Sequence, residues 1–165
     1  MKTLIIYSSK TGNTKKVAEG ILEVMPKNTV IAPIEDNIDS EEFDLVLIGY
    51  WVDKTTADSK ILSYIEKISG KKIGIFATLG AYPDSKHASD ALKNIRELLE
   101  PRNEVIAEFI CQGKVDPKIT EQFEKLPLDH PMSMTPKRRQ RHKDASTHPN
   151  QDDIKNSQDV FRDIV

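Results

Sequence analysis

The sequence predicts an α/β domain, a parallel sheet whose strands alternate with helices that cover both of its faces. Three observations carry that expectation. Apolar runs of strand length alternate with amphipathic helical patterns from Leu4 to Cys111, an order that produces right-handed βαβ units. The clearest run, Phe43-Asp44-Leu45-Val46-Leu47-Ile48-Gly49, is nearly continuously apolar, as a strand buried under helices on both sides must be. The length of 165 residues suits one domain whose core needs no staples.

Leu4 to Tyr7 is the first strand-length run, broken by the polar stretch Ser8-Ser9-Lys10-Thr11-Gly12-Asn13-Thr14. Val17, Ala18, Ile21, Leu22 and Met25 then recur at helical spacing before Pro26. Thr29 to Ile34 predicts a weaker second strand, short or near an edge because Pro33 cannot donate to a ladder. Phe43 to Gly49 is the third. After the polar loop Trp51 to Asp58, Ile61, Leu62, Ile65 and Ile68 mark a helix closed by Gly70. Lys72 to Thr78 predicts the fourth strand. Past the loop Leu79-Gly80-Ala81-Tyr82-Pro83, Asp84 or Ser85 caps a helix with Ala88, Ala91, Leu92, Ile95, Leu98 and Leu99 on its apolar face. Pro101 ends it, and Glu104 to Cys111 is the fifth strand. Ile119 to Leu126 suggests a short helix and Ile154 to Val165 the last one. Pro127, Pro131, Pro136 and Pro149 argue against one continuous element between them. The stretch from about 113 to 150 therefore reads as a basic surface excursion within a single domain spanning residues 1–165.

Composition narrows the chemistry. Lys137, Arg138, Arg139, Arg141 and Lys143 are five cations in one run, so a chain of net charge −2 is −7 elsewhere. Such a body favours docking to basic partner surfaces and argues against nucleic acid as the main ligand, although a charge this modest also serves plain solubility. The basic run itself suits either an acidic partner or a solvated loop. Cys111 is the only cysteine, so the chain alone builds no disulfide and no cysteine-based iron–sulfur or zinc site. Electron chemistry would need an organic cofactor. The run after Met1 is too short for a signal peptide and no segment approaches about 20 apolar residues, so a cytoplasmic protein with no membrane partner is expected.

The loop from Ser9 to Thr14 lies where a strand gives way to a helix, with the hydroxyls of Ser9, Thr11 and Thr14 around Gly12. Backbone N–H groups and the positive end of the helix can surround an anion there, and glycine permits close approach. A plain helix-capping turn uses the same residue types. The spacings GxxxxGKS/T and GxGxxG are absent, which removes the nucleoside-triphosphate and dinucleotide loops. Ser8-Ser9 stands where a receiver domain would carry acidic residues for a divalent cation. Ligands of open parallel sheets lie beyond the carboxyl ends of the strands. There the loop after the third strand carries Tyr50 and Trp51, the only tryptophan, and the loop after the fourth carries Tyr82. Two such aromatics can sandwich a flat heteroaromatic ring, each offset stack contributing roughly 0.5–1.5 kcal/mol.

Ser9-Lys10-Thr11-Gly12-Asn13-Thr14 matches the pattern S/T-x-T-G-x-T. With Gly49-Tyr50-Trp51-Val52-Asp53 and Phe76 to Pro83, the span from Lys2 to about Cys111 resembles the flavodoxin family, and Ile154 to Val165 is similar to its terminal helix. The resemblance implies a flavodoxin-like three-layer α/β/α sandwich, a five-stranded parallel sheet in order 2-1-3-4-5, FMN as cofactor and electron transfer as role. By position, Ser9, Lys10, Thr11, Gly12, Asn13 and Thr14 would bind phosphate, Trp51 and Tyr82 would flank the isoalloxazine, and backbone around Val52, Thr78, Leu79 and Gly80 would meet its polar edge. The implied partners are redox proteins, a reductase donor and an acceptor enzyme. No catalytic residue or metal site is expected: His87, His130, His142 and His148 lack ligand spacing, and Cys111 reads as a small buried hydrophobe.

Two features depart from the family. Flavodoxins accommodate the one-electron-reduced flavin by turning a peptide after the third strand, usually at glycine. Here Val52-Asp53 takes that place, and a β-branched residue resists positive φ, so a less stabilised semiquinone is expected, with electrons moved in pairs or at closely spaced potentials. The basic run is the second departure. An electron carrier is the leading function; the alternatives are an FMN-dependent quinone or nitro reductase and an accessory subunit of a larger reductase.

Overall fold

The computed structural model describes residues 1–165. Its strands are β1 (Thr3–Tyr7), β2 (Val30–Pro33), β3 (Leu45–Asp53), β4 (Thr56–Ala57), β5 (Lys72–Leu79) and β6 (Glu104–Gln112). Its α-helices are α1 (Asn13–Leu22), α2 (Ser59–Ile65), α3 (Lys86–Leu99), α4 (Pro117–Glu124), α5 (Pro136–Ala145) and α6 (Gln151–Phe161). Five strands pair in parallel in the order β2-β1-β3-β5-β6. Numbered by themselves, these five follow the order 2-1-3-4-5.

Side-chain alternation divides the core into two layers. Leu4 and Ile6 of β1, Val46, Ile48 and Tyr50 of β3 and Ile73 and Ile75 of β5 pack with Ile61 and Ile65 of α2 and Ile95 and Leu99 of α3. Ile5, Tyr7, Leu45, Leu47 and Phe76 point the other way, onto Val17, Ala18 and Ile21 of α1 and Phe161 of α6. The period of two along each strand sends neighbours to opposite faces, so each central strand must be apolar throughout.

Helix α6 closes the second layer. Asn150 and Asp153 form a reciprocal capping box at its start, and Gln158 Nε2 donates to Gly20 O at 2.9 Å. Phe161 is fully buried and meets Phe76 edge-on, ring centroids 6.3 Å apart. Burying such a side chain contributes about 1.5–3 kcal/mol. At one sheet edge β2 is short and ends at Pro33, as its proline predicts. The other edge strand, β6, is braced by a two-pronged pair from Arg96 Nη1 to the Glu108 carboxylate at 2.8 and 3.0 Å.

Two expectations need correcting. The polar loop predicted from Trp51 to Asp58 is the end of β3 and a tight hairpin to β4, with Val52 opposite Ala57 and Asp53 opposite Thr56. Lys54 and Thr55 make the turn at φ 49° and 66°, the two positive values of a type I′ turn. The sequence carries no signal for this turn, because the usual Asn-Gly or Asp-Gly pair is absent. The basic run, read as irregular, is helix α5. Thr135 Oγ1 accepts from Arg138 N at 3.1 Å and Pro136 occupies the first helical position, a start signal that outweighs the breaking sense of proline. No helix of the chain is long and apolar enough to cross a membrane.

Asp58, before α2, is 4% exposed, and its Oδ1 has no hydrogen-bond partner. Burial raises its carboxyl above the ordinary Asp value, opposed in part by the nearby Ser8 hydroxyl. The folded state thus holds this proton more tightly than the unfolded chain, and stability falls as pH rises from the ordinary Asp range through the raised value. Asp58→Asn removes that cost. Urea titrations from about pH 4 to 7 should show a flatter stability profile in the variant; an unchanged profile contradicts this account of Asp58.

Candidate functional site

The site is built at the carboxyl end of the sheet, beginning with the loop between β1 and α1. Gly12 is the N-cap of α1 at φ 95°, with nothing near the position a Cβ would take. Ser9 Oγ accepts from the backbone N–H of Gly12 at 3.1 Å and of Lys15 at 3.3 Å, so Ser9 holds the loop together. Thr14 is buried, and its Oγ1 shares a 2.9 Å hydrogen bond with Thr78 Oγ1, tying α1 to the end of β5. The hydroxyl of the exposed Thr11 has no partner in the protein, and neither do the backbone N–H groups of Lys10, Thr11, Asn13 and Thr14. These donors gather at the positive end of a ten-residue helix, the arrangement that attracts an anion.

A cavity of about 410 Å³ opens beside the loop, within the usual range for small-molecule sites. Lys10, Thr11 and Asn13 line it from the first loop, Trp51 to Lys54 from the hairpin, and Thr78 to Gly80 from the end of β5. Eight of the twelve expected residues therefore share its wall: Lys10, Thr11, Asn13, Trp51, Val52, Thr78, Leu79 and Gly80. Ser9, Gly12 and Thr14 shape the loop without lining the cavity. A larger cavity of about 740 Å³ lies near Asp44, Lys72 and Glu104; it is at the amino ends of the strands, away from the edge where sheets of this kind bind ligands.

Trp51 is half-buried, with Lys10 Nζ 5.2 Å from its ring centroid, within cation–π range. Tyr82 is not brought to the cavity. Its hydroxyl donates to Asp144 Oδ2 of α5 at 2.6 Å, a bond that raises the tyrosine and lowers the carboxyl from their ordinary values. Val52 carries no positive φ, because the hairpin places both such residues after it, at Lys54 and Thr55.

The fourth wall comes from a segment that the sequence assigns to the surface excursion. Gly113 to Asp116 and Ile119, after β6, complete the cavity. Asn13 Nδ2 donates to Lys114 O at 2.9 Å, and a Cβ on Gly113 would come within 2.6 Å of that nitrogen. A glycine directly after the fifth strand was the available signal. Lys10, Lys54 and Lys114 line the cavity against Asp53 and Asp116, and no ion pair engages any of the three lysines. The wall is thus net positive.

Because Gly12 occupies the left-handed region, Gly12→Val should cost about 1–2 kcal/mol through backbone strain alone, there being space for the side chain. Chemical denaturation without ligand measures this; a neutral effect would mean the loop reaches α1 by another backbone path.

A model of the flavodoxin domain family matches residues 4–162. The flavodoxin-like domain-containing protein BilS of Clostridioides difficile (strain CD3) is 33% identical over 159 residues, which covers 93% of this chain and 90% of that protein. Flavodoxin 1 of Escherichia coli (strain K12) is 28% identical over 115 residues, 63% of this chain and 64% of that one. Among solved structures, a flavodoxin from the domain Archaea superposes with TM-score 0.65 at 17% identity, covering 99% of this chain and 96% of its own. A flavoprotein of Lactobacillus acidophilus NCFM, in complex with FMN, superposes with TM-score 0.53 at 20% identity, covering 75% and 99%. The structures speak for the fold, and the family match spans nearly the whole sequence: the chain belongs to the flavodoxin domain family.

Proposed function

We propose that this chain binds flavin mononucleotide in the cavity and passes reducing equivalents from a reductase to an acceptor enzyme. The observation that carries the reading is the set of unpaired backbone N–H groups at Lys10, Thr11, Asn13 and Thr14, beside a cavity walled by Trp51. A phosphate monoester needs several donors and little negative charge nearby, and these groups, the Thr11 hydroxyl and Lys10 meet that need. Trp51 offers a flat face to an aromatic ring. The ladder between β3 and β5 stops at the pair Trp51 and Thr78, and the Gly80 N–H beyond it has no partner in the protein, which leaves a donor for the polar edge of a ligand. The family membership and the FMN complex of a structural neighbour support the choice of cofactor. When bound, FMN supplies reversible uptake of electrons; the chain's own residues hold it, orient it and shield its ring from water.

Titrating the flavin-free protein with FMN, followed by flavin fluorescence, tests the reading. Thr11→Ala should weaken binding about 10- to 100-fold, as loss of a hydrogen bond to a charged group costs about 1.5–3 kcal/mol. Lys10→Ala should cost less, since its ammonium is exposed and screened. Equal losses would shift the grip from hydroxyl and backbone to charge, and no binding at all would end the proposal. The loaded protein should reduce an added protein acceptor; rapid reduction of a small quinone or nitro compound at the expense of a nicotinamide donor would favour an enzyme instead.

The hairpin also constrains how electrons leave. Val52 and Asp53 are both paired across the turn, so rotating the peptide between them breaks that pairing. Reductive titration of the loaded protein should fit one two-electron step, and two well-separated one-electron steps would refute the constraint.

A further inference from the structure

We propose that α5 and the cavity rim beside it form the docking surface for a redox protein that is acidic around its own electron port, although this chain is net −2 overall. The inference rests on the electron-transfer reading of the same site. It reverses the partner charge that the acidic bulk of the sequence suggests.

Charge is segregated in the excursion. Between Lys114 and Thr147 the chain carries eight basic against five acidic side chains. Four of the acids are engaged locally. Glu121 pairs with Lys125 at 3.0 Å and Glu124 with Arg139 at 3.5 Å. Asp144 accepts from Tyr82 and from Gln140, and Asp116 caps α4. Lys137, Arg141 and Lys143 form no ion pair, and they join the unpaired rim lysines Lys10, Lys54 and Lys114.

Position links this charge to the cavity. Lys114 and Val115 line both the candidate flavin cavity and a second groove of about 380 Å³, between α4 and α5, that Arg139, His142 and Lys143 also line. The bond from Tyr82 to Asp144 pins α5 to the loop after β5. Arg138 lies over the Phe123 ring at 5.5 Å, and His142 Nδ1 bonds with Thr120 Oγ1 at 2.8 Å, so α5 is held against α4. Yet Ala145 is the only buried residue of α5. A helix held this firmly with so little of it in the core is presenting its face to something else. Leu128, 93% exposed, and Met132, 45% exposed, add apolar surface in the turn before it. An apolar patch within a charged rim is the usual anatomy of a protein interface, and opposite charge steers the encounter.

Cytochrome b5, acidic around its haem edge, and cytochrome c, basic around its own, serve as probes. Binding is measured to the flavin-free protein by calorimetry, and haem reduction by the loaded protein in stopped flow. Affinity and rate toward cytochrome b5 should fall about tenfold between ~10 and ~200 mM ionic strength. The triple variant Lys137→Glu, Arg141→Glu, Lys143→Glu should lose about as much while keeping FMN affinity and Tm, and Lys27→Glu with Lys67→Glu should lose nothing. Preference for cytochrome c, a triple variant that keeps its salt dependence, or a duplex oligonucleotide that binds α5 more tightly than cytochrome b5 would each overturn the proposal. If FMN fails to bind while cytochrome b5 still docks through α5, the surface stands and the cofactor reading falls.

Discussion

Parallel pairing of the five main strands is the constraint on which the rest of this structure depends. Right-handed crossovers return each strand to the same edge of the sheet, so every loop that follows a strand emerges on one side. Ser8 to Gly12, the hairpin at Lys54-Thr55, Gly80 and Gly113 are far apart in sequence and meet for that reason alone. The registers Tyr7 opposite Gly49, Trp51 opposite Thr78 and Leu79 opposite Gln112 set how far each loop projects. A slip of one residue would exchange the two core layers as well as displace the loops, which is why burial on both faces protects the geometry of the edge.

Within that frame the loop from Ser9 to Thr14 commits some of its polar groups to structure and leaves others without a partner. Ser9 spends its hydroxyl on the loop's own N–H groups, and Thr14 spends its own on Thr78. Asn13 reaches across to Lys114 O and ties the loop to the far wall. Thr11 and the backbone donors are left over. Hydroxyl spacing made all three look equivalent, because a sequence does not say which acceptor or donor is nearest once the strands are paired. The same blindness applies to Tyr82, whose hydroxyl is drawn to Asp144, 62 positions away.

Electrostatics shows the same division between global and local. The net charge of −2 averages over a molecule far larger than the screening length of about 8–10 Å. What a partner or ligand meets is the rim, where Lys10, Lys54 and Lys114 outnumber Asp53 and Asp116. Helix α5 extends that positive character over the surface beside the cavity, while acidic residues elsewhere set the total.

The sequence by itself determined the α/β class, the five parallel strands, the strand–loop–helix at Ser9 to Thr14 and the family, because these rest on local apolar period and on a contiguous motif. It also placed most of the cavity wall, since Trp51, Val52 and Thr78 to Gly80 lie directly at strand ends. The tertiary structure alone decided the hairpin at Lys54-Thr55, the wall from Gly113 to Ile119, the partner of Tyr82 and the placement of α5 beside the cavity. Each of these depends on contacts between segments distant in the chain or on a turn without its usual residues. The pattern of one segment records which face it buries, and pairing in space decides what stands opposite that face.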